Sequence, residues 1–212
     1  MNKAADDMEE VMRKFDKMIA AAPDGPEEEK ETTPPPRDIS YSTGVPKRYR
    51  PEWDHPTDAA WQGNFAKVMK GIPTGSIVGL IGKRGTGKTR LAAEAIRSHS
   101  PDHSAYTTAM GLFLRIQNTY GDTKTETQAD IVGELSRCTA LVIDEVQERG
   151  NSEWEDRLLT HIIDNRYGAK LPTVIIANLE AAAMKQCLGD SISSRINETG
   201  GIIEITGKSF RE

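Results

Sequence analysis

Long apolar runs are missing from this sequence, and no stretch approaches the roughly 18 apolar residues that a membrane-spanning helix requires. The N-terminal MNKAADDMEE is acidic and lacks the apolar core of a signal peptide. Together these absences predict a cytoplasmic protein with no membrane partner. Cysteine is scarce: Cys138 and Cys187 are the only two, far apart and without a CxxC partner. That excludes a disulfide framework and predicts reduced, partly buried thiols. The four histidines, His55, His99, His103 and His161, show no metal-ligand spacing, so zinc is not expected.

A surplus of base is missing as well. The net charge is −5, but residues 1–31 hold ten acids against five bases, and the rest of the chain carries 22 of each. The acidity belongs to the tail and does not argue against nucleic-acid contact by the neutral remainder. Within that tail Met8, Val11, Met12, Phe15, Ile19 and Ala22 recur at helical spacing, which predicts an amphipathic helix over 1–22. Pro23, Gly25 and Pro26 end it, and the acidic, proline-rich stretch to residue 45 reads as a flexible linker. A helix on a tether either folds back on the main domain or docks on a partner. A methionine-bearing face suits a partner groove, whereas an acidic polar face does not suit a membrane surface.

The main domain is assigned to residues 46–212. Strands are expected at 76–81 (SIVGLI), 105–107, 140–144 (ALVID), 173–178 (TVIIAN) and 201–205 (GIIEI). Helical patterns fall at 90–98, up to Tyr120, at about 127–137, at 153–167, and at 180–188 and 190–196. The segment GVPKRYRPEW is read as irregular. Strands alternating with helices predict an α/β fold with a parallel sheet covered on both faces.

Gly82-Lys83-Arg84-Gly85-Thr86-Gly87-Lys88-Thr89 matches GxxxxGK[ST] between an apolar strand and a helix, the context that motif requires. Glycines allow the backbone to curl so that N–H groups converge on phosphate oxygens at a helix N-terminus. Lys88 is expected to reach the β- and γ-phosphates of ATP, and the Thr89 hydroxyl to ligate Mg²⁺. Asp144 ends an apolar strand, where it can hold the same Mg²⁺, and Glu145 follows as the candidate general base. Asn178, ending the next strand, is a candidate for orienting water or the γ-phosphate. This set points to ATP hydrolysis.

IDEVQERGNSEWEDRLLTHIIDNRYGAKLPTVIIANL, followed by LGDSISSRI and GKSFR, resembles the pattern of the DnaC/DnaI-type replicative helicase loaders and the neighbouring IstB transposition ATPases. With the GTGKT loop and the PKRYR segment, the likeness covers about 46–212. It implies a P-loop NTPase of the AAA+ type. By position it implies that Arg195 is an arginine finger acting on a neighbouring subunit, and that Arg211 is a sensor arginine acting in cis. It further implies that Tyr120, Ser152 and Trp154 contact single-stranded DNA, the aromatics by stacking; Trp154 could equally anchor its helix in the core. The sequence departs from the family where a Glu-Arg pair would precede the finger, reading Asp190-Ser191 instead.

The function this implies is an ATP-dependent loader that self-associates, holds single-stranded DNA and engages a DnaB-type replicative helicase through its N-terminal helix. An IstB-like transposition helper on duplex DNA shares the same catalytic residues. A nucleotide-binding adaptor with little hydrolysis is the non-enzymatic alternative. The short acidic tail favours the loader.

Overall fold

The computed structural model describes residues 45–46, 59–72, 75–99, 103–120, 126–207 and 209. The expected helix at 1–22, the linker apart from Val45, the PKRYR segment apart from Pro46, and Arg211 lie outside the described residues.

Among the described residues five strands, β1 (Ile77–Ile81), β2 (Ser104–Thr108), β3 (Ala140–Asp144), β4 (Thr173–Ile176) and β5 (Ile202–Glu204), form one sheet in the order β2-β3-β4-β1-β5. Every pairing is parallel. Alternate residues of the central strands face opposite layers, as the two-residue strand period requires. Ile77, Ile81, Leu141, Ile143 and Ile175 join one buried cluster, while Val78, Leu80, Val142, Val174 and Ile176 join the other. Because both faces are covered, these strands read as continuous apolar runs.

The helices are α1 (Ala59–Gly71), α2 (Lys88–His99), α3 (Ala109–Gln117), α4 (Gln128–Arg137), α5 (Glu153–Gly168) and α6 (Ala181–Thr199). Residues of α1 and α2 pack with the Val78 cluster, and α3 to α6 supply the Ile77 cluster. Three N-termini are fixed by their own side chains. Thr108 accepts from the Gly111 N–H, and Thr127–Asp130 and Ser152–Glu155 form reciprocal capping boxes. The two helices expected at 180–188 and 190–196 meet within α6 at Gly189, where φ is 75° and ψ is 170°, values that are not helical, so the break lies where it was expected.

Helix α1 was not anticipated. Its buried positions are Trp61, Asn64 and Val68, and an asparagine in that stripe dilutes the apolar period. Among the described residues no helix is long and apolar enough to cross a membrane.

Candidate functional site: the carboxyl ends of β1, β3 and β4

In a parallel sheet, loops leaving the carboxyl ends of adjacent strands share one edge, and ligands gather where the strand order reverses direction. Here β1 lies between β4 and β5 while its next strand in sequence, β2, is at the far edge. The loop 82–87 after β1, Asp144 at the end of β3 with Glu145 next to it, and Asn178 after β4 therefore come together by topology.

The loop shows why its glycines are needed. Gly82, Gly85 and Gly87 all have positive φ, at 135°, 85° and 87°. A Cβ on Gly82 would stand 2.4 Å from the Ile205 carbonyl oxygen, and one on Gly85 2.3 Å from Ser209 Oγ. The Thr86 hydroxyl donates to the Lys83 carbonyl at 3.0 Å. Lys88, on the first turn of α2, curls back so that Nζ donates to the carbonyls of Gly82 (2.8 Å) and Lys83 (2.7 Å). An ammonium resting on neutral carbonyls inside a curled loop has stronger acceptors to gain when phosphate oxygens approach. The residues thus fit a nucleotide polyphosphate. Arg84 stays on the outer rim, 2.8 Å from the Glu148 carboxylate with both side chains exposed.

Asp144 is only 3% exposed. A buried carboxylate needs donors, and three are in place. Thr89 Oγ1 and Tyr106 OH donate to Oδ2 at 2.7 and 2.8 Å, and the Glu145 N–H donates to Oδ1 at 2.7 Å. Hydroxyl and carboxylate oxygens side by side are the hard donor set that suits Mg²⁺. When bound, such an ion would supply charge neutralisation at the phosphates. Glu145 adopts the left-handed conformation, φ 54° and ψ 44°, which is uncommon outside glycine. It turns the chain out of β3 into the 3-10 turn Val146–Glu148 and leaves Glu145 exposed beside its buried neighbour.

Sequence reading missed two residues here. Gln147 Oε1 accepts from the Asn178 N–H at 3.2 Å, tying the turn after β3 to the end of β4. Tyr106 gave no motif signal, since a tyrosine in a strand ordinarily reads as core.

The remaining candidates lie on other elements. Ser152 caps α5: its hydroxyl donates to Glu155 Oε2 at 3.0 Å and accepts from the Glu155 N–H at 3.3 Å. Burial pushes the Glu155 carboxyl up, but the Ser152 N–H and hydroxyl, the Gly150 N–H and the Arg149 charge outweigh it and hold it below the usual range. Trp154 is half-buried, its ring 5.7 Å from that of Phe113. Tyr120 closes the 3-10 turn after α3, is 61% exposed, and donates to Gln128 Oε1 at 3.1 Å. Arg195 is held within the chain: it donates to the Ser191 carbonyl (2.8 Å) and hydroxyl (2.6 Å) and pairs with Asp164 at 2.9 Å. Its guanidinium also lies over the Tyr167 ring, 5.4 Å from the centroid.

The family model described as "IstB-like ATP binding protein" matches residues 69–212. The chain belongs to that family. Its ATP-binding domain includes every element from the end of α1 onward. The replicative helicase loader DnaC of Buchnera aphidicola (subsp. Acyrthosiphon pisum) is 30% identical over 118 residues, 54% of this chain and 48% of that protein. DnaC of Escherichia coli K12 is 29% identical over 120 residues, 54% of this chain and 47% of that protein. The chain thus spans about half the length of the curated relatives it matches. Among solved structures, the DnaC helicase loader superposes with a TM-score of 0.61 at 21% identity, covering 76% of this chain and all of that one. DnaI superposes with a TM-score of 0.53 at 20% identity, covering 80% of this chain and 90% of that one. At such identities the structural likeness speaks for the fold alone, a parallel α/β sheet flanked by helices.

Proposed function

We propose that this protein is an ATP-dependent helicase loader, acting on a DnaB-type replicative helicase and single-stranded DNA, with hydrolysis as its switch. The observation that carries the proposal is the convergence of Lys88, Thr89, Asp144 and Glu145 on one sheet edge, in a chain whose relatives are replicative helicase loaders. Lys88 would exchange loop carbonyls for β- and γ-phosphate oxygens. Thr89 and Asp144 would hold Mg²⁺. Glu145, left exposed by its left-handed backbone, would polarise the attacking water, and Asn178 would orient it.

Arg195 would act on the nucleotide of a neighbouring subunit, which requires it to leave Asp164 and Ser191. Arg211 is proposed to act in cis. Tyr120 and Trp154 offer aromatic faces, and Ser152 a hydroxyl, to single-stranded DNA; such stacking contributes roughly 1–3 kcal/mol per base without sequence preference. The acidic amphipathic segment 1–22 is the proposed helicase-docking element.

The test is helicase loading onto covalently closed single-stranded circles, with and without this protein and ATP. Stimulation that disappears with Lys88→Ala, and again on removal of residues 1–31, supports the loader. A second reading, a transposition helper on duplex DNA, draws its support from the match to the IstB-like family. ATP-dependent footprints on duplex DNA longer than one subunit can cover, with no stimulated loading, would select it.

A further inference from the structure

We propose that Tyr106 is a positioning residue for the metal-facing carboxylate, setting how tightly the site holds Mg²⁺ with its nucleotide. This rests on the reading of Thr89 and Asp144 as the pair that faces the ion.

β2 pairs with β3 so that Thr108 lies opposite Asp144 and Tyr106 opposite Val142. Tyr106, Val142 and Asp144 therefore project from the same face, and Tyr106 is the diagonal neighbour of Asp144. Diagonal neighbours are too far apart for short side chains to meet, but an aromatic leaning along its strand can close the gap. Tyr106 does so, and its hydroxyl ends 2.8 Å from Asp144 Oδ2. Its ring belongs to the same apolar cluster as Leu91 and Val142, and the residue is 8% exposed. The ring cannot swing away without opening that cluster.

The hydroxyl of Thr89 reaches the same oxygen from α2, at 2.7 Å. Both lone pairs of Oδ2 are thereby occupied, while the backbone N–H of Glu145 takes one of those on Oδ1. A carboxylate gripped by a helix, a neighbouring strand and its own backbone has its plane fixed. Thr89 can turn a lone pair toward a cation while its hydrogen still points at Asp144. Tyr106 is the donor with no ligand duty, so it holds the carboxylate in place whichever way Thr89 is oriented. Such outer partners of metal ligands typically set affinity by about tenfold or more.

The experiment compares wild type with Tyr106→Phe, measuring binding of a fluorescent ATP analogue in EDTA and across a Mg²⁺ titration, with melting temperatures alongside. The expected result is a Mg²⁺ requirement raised about tenfold, with Mg²⁺-free nucleotide affinity unchanged. 4-Fluorophenylalanine at position 106 fills the volume of the hydroxyl without a donor, and must show the same shift; it carries the test if the Phe variant folds poorly. 3-Fluorotyrosine, which retains the hydroxyl, should keep the wild-type requirement. An unchanged Mg²⁺ requirement in the donor-less variants overturns the proposal while leaving the metal-facing pair intact. Equal weakening with and without Mg²⁺ also overturns it, because it marks a general packing role. Wild-type nucleotide binding indifferent to Mg²⁺ would remove the metal reading itself, and this inference with it.

Discussion

Asp144 and Arg166 are buried ions at opposite ends of the same sheet, 3% and 0% exposed, and their surroundings differ in kind. Asp144, at the carboxyl end of β3, is met by two hydroxyls and one N–H. Hydroxyls rotate and can serve a second partner, so this carboxylate remains available to a ligand. Arg166, at the end of α5, donates to the carbonyls of Leu135, Cys138 and Pro172, each at 2.7–2.8 Å, and to Thr173 Oγ1 at 2.7 Å. Three of these are fixed backbone carbonyls preceding β3 and β4, and the fourth, the hydroxyl of the first β4 residue, is itself committed to the Leu171 carbonyl at 3.1 Å. Burial pulls the Arg166 guanidinium below its ordinary value and pushes the Cys138 thiol beside it up. One buried charge is arranged to exchange partners and the other to saturate them. The proposed function sits at the exchangeable end.

The largest effect that would sharpen this contrast is at the saturated end. Arg166→Met leaves several buried acceptors without donors, at about 1–3 kcal/mol each before relaxation, so a stability loss of about 4 kcal/mol is expected. Chemical denaturation would measure it. Nucleotide affinity of the remaining folded protein should be unchanged; a parallel loss of affinity would show that the two ends are not separable.

At the exchangeable end the order of effects reverses. Glu145→Gln should lower ATP turnover by about 10²–10⁴-fold, the range of a lost general base. Nucleotide affinity and the unfolding midpoint should hold, because Glu145 is exposed. Unchanged phosphate release would instead mean a nucleotide-binding adaptor. Lys88→Ala comes next. Loss of charge-assisted bonds to phosphate should weaken nucleotide binding by about 10–100-fold. Stability should fall by no more than about 1 kcal/mol, since the carbonyls it leaves sit in a loop open to water. A larger loss of stability would mean that Lys88 belongs with Arg166 as a structural cation.

The two ends also differed in how far the sequence disclosed them. The exchangeable end was legible because its chemistry needs particular residues at fixed spacing: the glycines at 82, 85 and 87, then Lys88 and Thr89, and a carboxylate pair closing an apolar strand. The parallel sheet was legible for the related reason that doubly covered strands read as apolar runs. Tyr106 was not, because reaching Asp144 depends on which strand lies beside β3, a long-range pairing with no local signal. Arg166 was hidden because arginine ordinarily lies exposed, and its acceptors come from two segments distant in sequence, 135–138 and 172–173. Arg195 could be picked out by its place in the SSRI segment, yet its partner Asp164 lies on another helix.

Helix α5 joins the two ends, running from the Ser152–Glu155 capping box to Arg166, and its first turn provides the smallest and most selective test. Glu155 accepts from Ser152 N–H at 2.9 Å and from Gly150 N–H at 3.3 Å. Its folded-state value is depressed, so between that value and the ordinary carboxyl value of about 4.3 the unfolded chain binds more protons than the folded one. The stabilisation is therefore complete above the ordinary value and is lost as pH falls through the depressed one. Glu155→Gln keeps the shape and one acceptor but removes the charge, and should cost about 1 kcal/mol at neutral pH. That difference should shrink toward zero as the medium is acidified below the ordinary carboxyl range, as read by denaturation curves at successive pH values. Because the cap orients Ser152 and Trp154 while Arg166 holds the far end, the variant should weaken single-stranded DNA binding more than it weakens the fold. A loss of stability that persists unchanged at low pH would assign Glu155 to packing, and would erase the distinction between the two ends of this helix.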